Sequence, residues 1–351
     1  MFRELYSRCP RRWESGRFTG CVEIPGVDPK TTLPPFPTPP LTVAVSECLT
    51  GAHVRYDGGH KRDAMPHALL DDLYVLRAIC PEVGIGLGVP RDPIRLVADA
   101  GAPRARVFGA DPGVSVDVTD ALCAYADSRL PVLDAVDGYV FMQNSPSCGL
   151  SGVRLFGSDG GNTGRGVYAQ QVLRVRPALP AAEGRQLFDP ACFANFVMRT
   201  CVYGHWRRTI ADGITPATLI AFHSACKYLV MAHDLRAYRR LGHLLSDLSD
   251  DVDDVAETYV CDLMRALSRP ASRAGHTNAL THLQGYVVRE SGARDACAGL
   301  IEAYRRGQVP LAAPMSLLRR QLIESGATYA RDQTYLHPGL WAAVDRAYNR
   351  Q

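Results

Sequence analysis

Three short apolar runs, Leu41–Ser46, Tyr74–Ile79 and Tyr139–Met142, limit what this chain can fold into more than any other feature. They are too short for core helices, and their valine, leucine and aromatic content suits buried strands. Arg62–Leu73 and Val118–Asp134 lie between them with helical spacing. Alternation of strand, helix and strand points to an α/β domain, a mostly parallel sheet with helices, expected over residues 41–175. Before it, Leu33-Pro-Pro-Phe-Pro-Thr-Pro-Pro40 is polyproline-like and closes an extension, residues 1–40. After Pro180 strand signals become scarce. Helices are expected over Pro190–Trp206, Pro216–His233, Leu235–Leu248, Val252–Ser268, Ala274–Glu290, Asp295–Arg306 and Pro314–Glu324, which makes residues 190–351 an all-α C-terminal domain.

No apolar run approaches the ~18 residues of a membrane span, so no membrane partner is expected. The N-terminus is charged and lacks the apolar centre of a signal peptide, and a cytoplasmic location is expected. The chain has eleven cysteines. In a reducing compartment, and with an odd count, they do not read as a disulfide framework. Cys123, Cys192, Cys201, Cys226, Cys261 and Cys297 are expected to be small buried apolar residues; Cys9 and Cys21 fall in the extension. A formal net charge of +3 is too small to imply nucleic acid. Lys30, Lys61 and Lys227 are the only lysines. The remaining cations are arginines, which suit phosphate contacts but are equally the product of a GC-rich genome.

Three cysteines stand apart. Cys48 in Ser46-Glu-Cys-Leu-Thr-Gly51, Cys80 in Cys80-Pro-Glu-Val83 and Cys148 in Ser145-Pro-Ser-Cys-Gly149 each fall at or after the carboxyl end of an expected strand. Ligands of open parallel sheets bind at those ends, so three cysteines distant in sequence can meet there. Structural zinc usually takes four ligands, often from close pairs, and no such pair exists here. An iron–sulfur cluster normally takes four cysteines, so three would leave one iron open. On spacing alone, three unrelated buried cysteines explain the pattern equally well. Nearby, Glu82 is placed to act as a general base, while Ser145 and Ser147 flank a proline turn and can donate hydrogen bonds. Asp57 sits in the charged loop Arg55-Tyr-Asp-Gly-Gly-His-Lys61. Gly84-Ile-Gly-Leu-Gly88 is followed by Val-Pro-Arg91 rather than a helix start, which makes it a tight loop and not a nucleotide cradle.

The same segments, with Val54–Lys61, Gly86–Arg91 and Pro93–Leu96, resemble the family known as domain of unknown function 523, which includes thiouracil desulfidase. Phe222–His233, Tyr238–Gly242, His282–Tyr286, Tyr304–Pro310, Pro314–Arg319 and Gln333–Leu336 resemble domain of unknown function 1722. The tandem is similar to bacterial desulfidases that act on 4-thiouridine in tRNA. The resemblance implies a [4Fe-4S] cluster on Cys48, Cys80 and Cys148 with one open iron. It implies a non-redox exchange of sulfur for oxygen on a thiolated pyrimidine, with Glu82 activating water and Ser147 holding or protonating the ring. The partner implied is tRNA containing 4-thiouridine, or a free thiopyrimidine. Lys227, Arg239, Arg240, Arg319 and Arg320 are candidate phosphate contacts, and Tyr228 and Tyr238 candidate stacking residues. Two departures stand out: Met142, Gln143 and Asn144 occupy places where family members often carry lysines, and Cys226 replaces the usual histidine before Lys227. A non-catalytic RNA-binding or stress-response protein with a structural metal, and a cysteine-persulfide sulfurtransferase, are the competing readings.

Overall fold

The computed structural model describes residues 33–99, 101–109, 114–157, 163–248, 251–287 and 292–349. Cys9, Cys21, most of the 1–40 extension and the end of the expected Ala274–Glu290 helix lie outside them. The chain divides into two compact units. One is built on Phe36–Gly204 and takes in the segment from Gly339 onward; the other is built on His205–Pro338 and takes in residues 33–35.

The first unit holds two sheets. In the first, β1 (Leu41–Ser46), β2 (Tyr74–Ile79), β6 (Gly138–Phe141) and β9 (Ala181–Glu183) follow the order β2-β1-β6-β9, and every pairing is parallel. β1 and β6 are central and almost wholly buried, which is why both read as unbroken apolar runs. The second sheet was not foreseen. Its strands β3 (Ile94–Val97), β4 (Arg104–Phe108), β5 (Ser115–Asp117), β7 (Val153–Phe156) and β8 (Thr163–Gly164) run in the order β5-β4-β3-β7-β8. Only β3 and β7 pair in parallel there. These strands are short, half-exposed and interrupted by arginines, so no buried apolar run marks them.

Helices are shorter than expected wherever a proline intervenes. In place of a continuous Arg62–Leu73 helix, the chain makes a 3-10 turn over Arg62–Ala64 and a brief helix α1 (His67–Leu70) after Pro66. Val118–Asp134 divides into α3 (Thr119–Ser128) and α4 (Leu130–Leu133) around Arg129, which precedes Leu130-Pro131. A four-residue helix α2 (Pro81–Gly84) lies between β2 and β3, and α5 (Val167–Val175) precedes β9. The sheet therefore runs past residue 175, and α6 (Pro190–Thr209) packs on it. A Cβ at Gly138 would stand 2.8 Å from Thr200 Cγ2 and 3.2 Å from the Phe196 ring, so glycine permits that approach. Tyr74 Oη and Thr200 Oγ1 hydrogen-bond at 2.8 Å. Beneath, the fully buried Tyr139 and Phe141 stack at 3.8 Å between ring centroids.

The second unit is helical, through α7 (Pro216–His233), α8 (Leu235–Leu244), α9 (Val252–Ala266), α10 (Arg273–Gln284), α11 (Ala293–Arg305), α12 (Ala312–Glu324) and α13 (Thr328–Arg331). Side chains cap four of them: Thr215 accepts from Thr218 N, Asp234 from Arg236 N and Ala237 N, Asp251 from Asp253 N, and Ser272 from Gly275 N. Trp206, Phe222 and Tyr259 meet at its centre, with ring centroids 5.1 and 5.7 Å from Trp206. A last helix, α14 (Pro338–Asn349), follows.

Burial lowers the pKa of four histidines of this unit, to about 4 for His205, His223 and His233 and about 3 for His276. The folded state thus prefers them neutral, while the unfolded chain takes up protons from about pH 6.5. Their contribution to stability is full above that pH and is lost as pH falls toward 4. At about 1.4 kcal/mol per pKa unit, the loss amounts to a few kcal/mol at each site. The thermal midpoint of the helical unit is expected to fall steeply between pH 6.5 and 4; a flat profile there would show that these rings are solvated.

Candidate active site

A cavity of about 700 Å³ opens at the carboxyl ends of β1, β2 and β6. Cys48, Cys80 and Cys148 all line it. Each is delivered by a different local device. Cys48 lies in a 3-10 turn, Glu47–Thr50, directly after β1, and its carbonyl accepts from Lys61 N at 2.8 Å. Cys80 follows β2 as the N-cap of α2, with its Sγ 4.0 Å from Val54 O. Cys148 rides a turn whose anchor is Ser145: the Ser145 hydroxyl accepts from Ser147 N at 3.3 Å and Cys148 N at 3.0 Å, and its carbonyl from Gly149 N at 2.8 Å.

Burial pushes all three thiols up. Cys48 reaches about 12, with Cys80 adding to the shift, and Cys80 itself is raised. Cys148 is raised well above its usual value, by burial first and then by Glu82, Cys48 and Cys80. Cations at the wall are Arg55, Lys61, Arg91 and Arg185. Among the described residues no three His, Cys, Asp or Glu side chains converge closely enough to hold one metal ion. The three thiols share one cavity.

Glu82 stands on the same wall, on α2, paired with Arg91. Arg91 Nε reaches Glu82 Oε2 at 3.1 Å and Nη2 reaches the same oxygen at 2.5 Å.

Residues 43–184, which carry this wall almost entirely, match the family model described as 2-thiouracil desulfurase. The chain is 31% identical over 135 residues to the uncharacterized protein YbbK of Bacillus subtilis (strain 168), a match that spans 36% of this chain and 86% of the relative. It is 34% identical over 136 residues to the uncharacterized protein YbgA of Escherichia coli (strain K12), spanning 38% of this chain and 79% of that one. The chain belongs to the 2-thiouracil desulfurase family. Residues 227–339 add a DUF1722 domain, a family of unknown function. A solved [4Fe-4S]-dependent thiouracil desulfidase, TudS, is similar at 28% identity over 42% of this chain and 93% of that one, with a TM-score of 0.32.

In this desulfurase-family chain the expected site residues separate into two groups. Cys48, Cys80, Cys148, Glu82 and Ser145 line the cavity, Ser145 with its hydroxyl engaged by the turn. Ser147 and Asp57 do not. Ser147 is fully buried behind the wall, where a Cβ at Gly166 would come within 2.6 Å of its carbonyl, and its hydroxyl has no partner among the described residues. Asp57 is largely exposed; its Oδ1 accepts from Gly59 N at 3.0 Å, which holds the carboxyl below its usual range. The wall also carries Gln143 and Asn144, the latter in a left-handed conformation at φ 58°. Cys192, expected to be buried, is exposed, and Cys123 and Cys261 are half-buried.

In the helical unit the candidate cations differ in engagement. Arg239 is exposed, Arg240 lies 3.8 Å from Asp262 and Arg320 3.9 Å from Glu324. Lys227 sits 5.4 Å over the buried Tyr228 ring, and Arg319 is half-buried. Tyr228 itself offers no face; Tyr286 and Tyr329, 5.9 Å apart, are exposed.

Gly149 ties the Cys148 turn to its surroundings. A Cβ there would meet Val153 Cγ2 at 2.4 Å and Ser145 O at 2.9 Å. Gly149→Ala is expected to cost about 1–3 kcal/mol of stability through overpacking and to open the turn. Chemical denaturation and maleimide labelling of the Cys148 thiol measure both; unchanged midpoint and labelling would disprove the constraint.

Proposed function

We propose that the chain replaces sulfur by oxygen on a thiolated pyrimidine, with 4-thiouridine in tRNA as its substrate, by a hydrolytic, non-redox reaction. The supporting observation is that three thiols and Glu82 share one cavity inside the segment matched to the desulfurase family. The exchange balances as thiocarbonyl plus water giving carbonyl plus hydrogen sulfide, with no electrons gained or lost. Cys48, Cys80 and Cys148 would hold a [4Fe-4S] cluster. When bound, such a cluster with an open iron supplies a Lewis acid for the substrate sulfur. Glu82 accepts the proton of the attacking water. The amides of Gln143 and Asn144 offer hydrogen bonds to the edge of the ring, and Arg55 and Lys61 give the wall positive charge. A cysteine-persulfide sulfurtransferase needs a thiolate nucleophile, and burial raises all three thiols.

Anaerobic reconstitution followed by turnover on thiouracil and thiolated tRNA tests the reading. Equal yields of sulfide and oxo-pyrimidine are expected; an iron-loaded protein releasing no sulfide from either would refute it.

The helical unit is assigned the RNA backbone. Arg239 is exposed and forms no salt bridge among the described residues, so Arg239→Glu is expected to weaken tRNA binding by roughly tenfold and to lower the salt slope by about one. Turnover of free thiouracil should not change. Equal tRNA affinity of variant and parent across a salt series would remove Arg239 from the interface.

A further inference from the structure

α2, which carries Glu82, is only four residues long, and the side chain of its N-cap residue, Cys80, makes no capping hydrogen bond. A single turn of helix does not fix the direction of a side chain. Glu82 is held by Arg91, nine residues on. Two donors of the guanidinium, Nε and Nη2, fall on the same oxygen, Oε2, at 3.1 and 2.5 Å. The usual arginine fork places one bond on each carboxylate oxygen. Here Oε1 is left without a protein partner among the described residues, on a side chain that lines the cavity.

The guanidinium is itself immobilised. Nη2 also donates to Val54 O at 2.9 Å and Nη1 to Gly88 O at 3.0 Å, while the backbone N–H of Arg91 donates to Tyr56 O at 2.9 Å. Its side chain is only 6% exposed. Val54 O is the same carbonyl that Cys80 Sγ approaches at 4.0 Å. One buried cation thus ties the carboxylate to the backbone beside a thiol. Lysine cannot reproduce this, because an ammonium is a point charge without a planar fork.

We propose that Arg91 is the positioning residue for Glu82: it grips one carboxylate oxygen so that the other faces the cavity, at a distance fixed relative to the Cys80 thiol. The proposal rests on the reading of Glu82 as the base. A base displaced by about 1 Å loses on the order of a hundredfold in rate, whereas substrate affinity is little affected.

The test is a double-mutant cycle in the full-length, iron-loaded protein, with Arg91→Lys, Arg91→Gln, Glu82→Gln and the two combinations. Iron content and the unfolding midpoint are measured alongside. Arg91→Lys is expected to lower kcat about ten- to hundredfold with KM within a few fold, at parental iron content. Each Arg91 variant combined with Glu82→Gln should be no slower than Glu82→Gln alone, since Arg91 acts through that carboxylate. Losses that multiply, or an Arg91→Lys enzyme with parental kcat, overturn the positioning role while leaving Glu82 as base. Failure of both single Arg91 variants to take up iron also overturns it, in favour of a purely structural tie between loops. Parental turnover in Glu82→Gln fails the base reading itself and the positioning role with it, so the two failures are told apart.

Discussion

Serine in place of Cys48, Cys80 or Cys148, one at a time, is expected to leave a protein that binds no stable cluster and releases no sulfide, while Cys192→Ser keeps both. Serine is nearly the size of cysteine, so packing is preserved. It offers a hard hydroxyl where a soft thiolate is needed. The three sites arise from three loops at the ends of β1, β2 and β6, and no other cysteine among the described residues lines the cavity. A neighbour therefore cannot substitute for the missing ligand. Burial sharpens the requirement, because without metal these thiols stay protonated and ligation must release their protons. Cys192 is the fitting control, as it is exposed on α6 and its backbone N–H donates locally to Asp189. Iron, acid-labile sulfide and the visible spectrum of anaerobically prepared variants are the measurements. Full iron and sulfide in Cys148→Ser would show that the three thiols are not a ligand set.

The parts legible in the sequence are those where both faces of an element are buried. β1 and β2 fall on Leu41–Ser46 and Tyr74–Ile79 as expected, and β6 is shifted by one residue from Tyr139–Met142 to Gly138–Phe141. α7 matches Pro216–His233 because Thr215 and Pro216 mark its start and Asp234 begins the next helix. The second sheet was not legible: β3 and β4 carry arginines within their short spans and leave no apolar run. The end of the α/β unit was also misplaced. Ala181–Glu183 is too short to read as a strand, yet it pairs with β6 and brings Arg185 and Phe188 to the cavity wall. The meeting of Cys48, Cys80 and Cys148 at one cavity was readable because strand ends converge. The side-chain directions were not: the turn that presents Cys148 buries Ser147, and the pairing of Glu82 with Arg91 crosses a loop that has no periodicity.

Glu82→Gln is expected to lower turnover by about 10²–10⁴, or about 3–5 kcal/mol of barrier, at unchanged iron content and nearly unchanged KM. The substitution keeps the shape of the side chain and removes its capacity to accept a proton. The amide that replaces the carboxylate retains an oxygen that can accept from Arg91, so the loop geometry should survive. That separates two roles. If Glu82 serves only as the anion for Arg91, glutamine keeps a hydrogen bond and the enzyme loses little. If Glu82 takes the proton of water through Oε1, the unengaged oxygen, glutamine has nothing to offer at that point and the chemical step slows. Single-turnover measurements with enzyme in excess of substrate isolate that step from product release. Turnover near the parental rate at equal cluster loading would eliminate Glu82. The search for the base would then pass to Glu47 and Asp63, the other carboxylates on the cavity wall, and not to Asp57, whose side chain lies outside it.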